Sequence, residues 1–184
     1  MEQGKTNLAA FSNTWYKPGG TLIGRMVWYL INLTCFRSGM PFMAPKKILL
    51  KLFGAKIGKG VIIKPHVSIK YPWKLEIGDH SWIGEGVWID NLDTVKIGSH
   101  VCISQGALIL CGNHNYSLQT FDLMVKPIHI ENGAWIGAKA TVCQGVTVKE
   151  HAVLSVGSVA SANLEPYGIY RGNPAVKVKE RLIR

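Results

Sequence analysis

Fourteen hexapeptides in this chain begin with an aliphatic residue, at positions 57, 63, 69, 77, 83, 89, 97, 103, 109, 130, 136, 142, 148 and 154, and eleven of these are Ile. Short repeats of this kind predict a parallel β-helix, because a single rung cannot bury its own apolar face and must stack on its neighbours. Grouped in threes, they give five coils: 57–76, 77–96, 97–129, 130–147 and 148–165. The first residue of each hexapeptide then points inward and stacks on its equivalent one coil away, about 4.8 Å off. The fifth position turns in at a corner and is expected to be small; Val, Ala or Ser stands there except at Trp73, Asp93 and Asn113. Those exceptions are spaced by twenty, so they share one corner of three successive coils. Residues 75–76 and 95–96 read as short insertions just after that corner, and 115–129 as a loop leaving the prism, with Gly112-Asn113-His114-Asn115-Tyr116 at its base. Insertions confined to one side of a regular scaffold are where function is usually carried.

Outside the repeats, residues 1–56 read as a helical and irregular cap and 166–184 as a basic tail that packs on the last rungs as a helix or strand. The apolar stretch Thr21 to Phe36 is interrupted by Arg25 and falls short of the about 20 apolar residues a membrane span needs. It has no small-residue cleavage site of a secretory signal. It reads as an amphipathic helix covering the open end of the solenoid. A second reading is a peripheral helix lying on an anionic membrane, with Arg25, Arg37, Lys46, Lys47 and Lys51 as surface anchors.

The formal charge of +10 favours an anionic partner. With no recognised nucleic-acid motif and basic residues scattered over the repeats, nucleic acid is set aside. Cys35, Cys102, Cys111 and Cys143 show no CxxC spacing, which fits free thiols in a reducing, cytoplasmic compartment.

The GNHNY segment, the run KPIHIENGAWIGAKATVCQGVTV from Lys126 to Val148 and IYRGNPA from Ile169 to Ala175 resemble the hexapeptide-repeat acetyltransferases. The stretch YPWKLEIGDHSWIGEGVWIDNL from Tyr71 to Leu92 is most similar to the colanic acid biosynthesis acetyltransferases within that superfamily. The resemblance implies an all-β fold built on a left-handed parallel β-helix and a homotrimer with active sites between subunits. It further implies acetyl-CoA as donor, a sugar hydroxyl as acceptor, no metal, and a histidine at the loop base as general base. His114 matches that histidine, and the disrupted corner points to it independently. A neutral imidazole can take the alcohol proton as it attacks a thioester and return it to the leaving thiolate.

Related motifs often carry Asp directly after the histidine, where this chain has Asn115, so Asp90, Asp93 or a backbone carbonyl is expected to orient the ring. Asp90, Asn91, Asp93, Asn113 and Asn115 are the candidate acceptor contacts. For the donor, the resemblance implies Trp135, Ala138, Val156, Ser161 and Ala162. Because Ala162 stands where Lys is common, Lys139, Arg171, Lys177 and Lys179 are the candidate phosphate contacts. Trp135 also reads as plain corner packing, since Trp82 holds the same register two coils earlier.

Three other chemistries compete. His66, His80, His100 and His151 share the fourth hexapeptide position, which raises a zinc site of the carbonic-anhydrase kind. Cys111, three residues before His114, raises a covalent acetyl-cysteine. A non-catalytic trimeric scaffold in a polysaccharide pathway is the remaining alternative.

Overall fold

The computed structural model describes residues 4–184. From Lys56 onward each hexapeptide forms a strand of two or three residues followed by a tight corner, and the strands stack in parallel register into the three faces of a prism. The first face holds Lys56–Ile57, Leu75–Ile77, Val95–Ile97, Ile128–Ile130 and Thr147–Val148. The second begins at Ile62–Ile63 and runs through Trp82–Ile83, Cys102–Ile103, Trp135–Ile136 and Val153–Leu154. The third holds Ser68–Ile69, Trp88–Asp90, Leu108–Leu110, Thr141–Cys143 and Val159–Ala160. Ile57 lies over Ile77, Ile97, Ile130 and Val148 in one column, and Ile63 over Ile83, Ile103, Ile136 and Leu154 in the next. These columns are the buried core of a left-handed parallel β-helix. Each coil closes its neighbour's hydrogen bonds and apolar face together.

The corners follow a rule that the sequence shows only indirectly. The fourth hexapeptide residue takes a left-handed backbone at Gly60, His66, His80, Gly86, His100, Gly106, Gly133, Lys139, Gly145, His151 and Gly157. Glycine adopts this conformation without cost, and histidine tolerates it better than most residues. The histidine ladder therefore marks a backbone conformation. His80 and His100 do stack one coil apart, with ring centroids 5.3 Å apart, but no group of three or more His, Cys, Asp or Glu among the described residues is arranged to hold a metal.

The rule fails at Pro72, Leu92 and Gly112, between the third and first faces. There the structure corrects the predicted insertions. Leu75, Val95 and Ile128 are the buried residues two places before the next inward Ile, so the extra residues fall before them, at the corner itself. The extra residues accordingly leave after Cys111, which stays in the core, and return before Ile128, and their base is a two-stranded antiparallel hairpin, Gly112–His114 with Leu123–Val125. The tail is built of strands. Gly168–Gly172 pairs in parallel with Val153–Leu154, opening a sixth turn on the second face, and then folds back antiparallel on Ala175–Glu180.

Two helices close the front: α1, Leu22–Ile31, and α2, Met43–Leu52, joined through one turn of π-helix at Asn32–Phe36. Thr21 caps α1 by accepting the Gly24 N–H. Trp28, Phe36 and Leu50 plug the first coil, and the Trp28 indole donates to the Ile69 carbonyl at 2.9 Å. Lys46 is not the surface anchor that the sequence suggests. Its side chain is fully buried and donates to the Lys64 carbonyl at 3.2 Å, and burial lowers its pKa. No helix among the described residues is long and apolar enough to cross a membrane.

Candidate active site

The hairpin strand Gly112–His114 ends on the histidine, and the loop beyond it returns to hold the ring. His114 Nδ1 lies 2.8 Å from the Phe121 carbonyl oxygen. A carbonyl only accepts, so Nδ1 carries the proton and Nε2 keeps its lone pair. The Phe121 ring stacks on the imidazole at 4.5 Å and 7° between planes, and Phe11 packs against it at 5.7 Å. Phe121 itself has a left-handed backbone (φ 52°), a conformation uncommon for an aromatic residue and often found beside functional groups. Tautomer and ring plane are thus both fixed, one by a hydrogen bond and the other by stacking.

His114 borders a cleft of about 770 Å³ whose other walls include Asp90, Asn113, Lys70, Tyr71 and Leu123. Asp90 is nearly buried, and its inaccessible Oδ1 is ion-paired with Lys70 Nζ at 2.9 Å. One wall comes from a part of the chain with no repeat at all. Phe11, Asn13, Tyr16 and Pro18 form it, as an N-terminal arm that runs up from the cap to the hairpin loop. Three contacts pin the arm: Asn7 N–H to the Gln119 carbonyl at 2.8 Å, the Tyr16 hydroxyl to the Leu92 carbonyl at 2.7 Å, and the Trp73 indole to the Pro18 carbonyl at 2.8 Å. Lys74 Nζ also reaches the Leu92 carbonyl and sits over the Tyr16 ring at 4.9 Å. Burial is the main cause of a raised Tyr16 pKa and a lowered Lys74 pKa. Phe11, Tyr16, Lys70, Tyr71 and Phe121 belong to the site and are not among the residues the sequence singles out.

Of the candidate acceptor contacts, Asp90 and Asn113 line this cleft. The remaining three have other partners. Asn91 is fully buried, accepting the Tyr71 N–H at 3.0 Å and donating to the Tyr71 carbonyl. Asp93 Oδ1 accepts the N–H of Thr94, and Asn115 Oδ1 that of Ser117 at 3.1 Å, an Asx turn that shapes the loop. Asn115 makes no side-chain bond to His114; the orienting group is the backbone carbonyl. Cys111 is buried with its thiol facing the Asp93 carbonyl at 3.7 Å, and burial pushes its pKa up to about 12, the reverse of an activated nucleophile.

The candidate donor contacts lie elsewhere. Trp135, Val156, Arg171 and Lys179 line a smaller pocket of about 390 Å³ on the second face. There Trp135 is half exposed and its indole donates to Ser104 Oγ at 2.9 Å. Ala138 and Lys139 occupy the corner between the second and third faces; Ser161 and Ala162 are exposed just past the third-face strand. Lys177 is engaged by Glu180 at 2.6 Å, a hydrogen bond that raises its pKa. Trp135, Ala138, Val156, Arg171 and Lys179 lie on the second face or at the corners beside it, whereas His114 leaves from the corner between the third and first faces, the corner at which Ser161 and Ala162 stand two coils further on.

No family model matches the chain. Among solved structures it is similar to a hexapeptide-repeat acetyltransferase of Vibrio cholerae O1 biovar eltor complexed with acetyl-CoA, with a TM-score of 0.79, 23% identity and 88% of each chain covered. It is also similar to a galactoside acetyltransferase in complex with coenzyme A, with a TM-score of 0.73, 24% identity, and 86% of this chain and 79% of the other covered. Those two likenesses define the class of fold, the hexapeptide-repeat β-helix. In sequence the chain is 37% identical over 177 residues to an Escherichia coli (strain K12) protein named as the colanic acid biosynthesis acetyltransferase WcaF, covering 96% of this chain and 97% of the other. The chain belongs to the family of colanic acid biosynthesis acetyltransferases.

Proposed function

We propose that the protein transfers an acetyl group from acetyl-CoA directly to a hydroxyl of a saccharide, with His114 as general base. The observation that carries this reading is the Nδ1–H to Phe121 carbonyl bond of a histidine that lines the cleft, which in the neutral ring places the lone pair on Nε2. Nε2 takes the acceptor hydroxyl proton while that oxygen attacks the thioester carbonyl. Collapse of the tetrahedral intermediate breaks the C–S bond, and the imidazolium returns the proton to the departing thiolate. Ester and free CoA thiol leave, and the enzyme is unchanged. Asn113, the Lys70–Asp90 ion pair and the aromatic walls of Phe11 and Tyr71 suit a molecule with hydroxyls on its edges and apolar faces between them. Relatives named for colanic acid biosynthesis and for galactosides support a saccharide in that cleft.

The donor is taken to lie along a groove between chains of a homotrimer, Trp135, Ala138 and Val156 meeting the His114 corner of a neighbour. The separation of the two residue sets within one chain supports this assembly. Arg171 and Lys179 on the second-face pocket supply charge for the CoA phosphates, with Lys139 on the adjoining corner. Four free cysteines suit a reducing, cytoplasmic setting.

The decisive measurement is release of CoA thiol with a panel of sugars, for the wild type and His114→Ala. A general base contributes about 10² to 10⁴ in rate, so the variant is expected to fall by that factor. Equal rates in the two would remove His114 from the mechanism, and no release with any acceptor would favour the scaffold.

A further inference from the structure

Helix α1 carries its apolar face outward. Leu22, Ile23, Met26, Val27, Tyr29 and Leu30 are all exposed, from 42% at Val27 to 74% at Ile23, while Trp28 is the buried residue of the helix. At 3.6 residues per turn, those six fill an unbroken arc of roughly 160°. Phe42, Ile48 and Leu52, on α2 and the residue before it, are exposed as well, Leu52 to 75%. Single exposed apolar residues are ordinary on protein surfaces, but a contiguous patch of this extent marks a contact.

Its electrostatic setting is one-sided. Residues 3–75 hold twelve Lys and Arg and no Asp or Glu, whereas residues 76–184 hold nine basic and ten acidic residues. The whole net charge of +10 therefore comes from the first 75 residues, which build the arm, the cap and the first coil. Arg25 flanks the apolar arc, and Arg37 and Lys51 are exposed around it. A second copy of the chain is a poor cover for this face, since it would bring the same Arg25, Arg37 and Lys51 against the first, and neither cap helix holds an acidic residue. An anionic bilayer satisfies both features at once, with acyl chains taking the arc and headgroup phosphates the basic rim. Spanning is excluded for α1, whose ten residues reach about 15 Å against roughly 30 Å of hydrocarbon.

We propose that the two-helix cap is an interfacial membrane anchor for anionic lipid, with α1 lying in the headgroup plane. The cleft wall at Lys70 and Tyr71 belongs to the first coil, so the His114 site begins only a few rungs, on the order of 10 Å, from the cap. If the saccharide reading above holds, that height suits an acceptor carried on a lipid.

The test is co-sedimentation of the full chain with phosphatidylcholine vesicles, with and without one quarter phosphatidylglycerol. The wild type is expected to partition at least tenfold more strongly onto the anionic vesicles and to be released by 0.5 M NaCl, in line with screening of headgroup charge. The exposed-face variant L22Q/M26Q/L30Q, and separately R25Q/R37Q/K51Q, should each lose that binding at least tenfold while keeping the wild-type unfolding temperature. CoA release with a soluble acceptor should be unchanged in both, which separates failure of the anchor from failure of the functional reading. No binding of the wild type to anionic vesicles would overturn the proposal. So would equal binding by wild type and variants, or loss of oligomeric state in L22Q/M26Q/L30Q without any vesicle binding, which would assign the arc to a second copy.

Discussion

His114 takes its orientation from a backbone carbonyl, and this frees the side chain beside it for another duty. Asn115 closes an Asx turn with the Ser117 N–H and has no bond to the imidazole. Asn115→Asp is therefore expected to leave kcat within about threefold of wild type, because a carboxylate can accept the same N–H; steady-state kinetics check this, and a rise beyond tenfold would show that the neighbouring side chain governs the base after all. Sequence placed His114 at the site through the broken corner, but the carbonyl that holds it is invisible to residue identity, since every residue carries one. The same limit explains the histidine ladder. Fourth-position histidines share a left-handed φ with glycines, so one side-chain column that looks like ligand spacing reports a backbone need.

At the scale of elements, the hairpin and the N-terminal arm build the cleft together. The arm has no periodicity, and its residues gain meaning only where it lands, with Phe11 on His114 and Tyr16 on the Leu92 carbonyl. Phe11→Ala removes one wall while leaving the Phe121 stack and its hydrogen bond in place. Its expected outcome is an acceptor KM raised about five- to tenfold with the acetyl-CoA KM unchanged, read from initial rates with each substrate varied in turn. A change confined to the donor KM would place the arm at the other half of the site. The corner's extra residues show a related limit. Reading 75–76 and 95–96 as insertions counts the right number in the wrong place, because Leu75 and Val95 are as apolar as the regular inward residues and burial alone tells them apart.

For the whole molecule, the separation of His114 from the second-face pocket predicts that a working site draws on two chains. Co-refolding His114→Ala with Val156→Asp chains should recover a measurable fraction of CoA-releasing activity, because some hybrid interfaces then join an intact histidine to an intact donor surface. Mixtures no more active than either parent would confine the site to one chain. The six-residue aliphatic period determined by itself the stacked rungs, the inward columns and the corner at which they fail, because burying a repeating apolar residue in register leaves few other solutions. Tertiary structure alone decided that the arm returns to the hairpin, that Asn91 is buried under Tyr71 while Asp90 pairs with Lys70 at the cleft, that Lys46 is internal, and that α1 turns its apolar face out. Those outcomes depend on contacts between residues far apart in the chain, and no local pattern encodes which of several apolar or polar faces will find a partner.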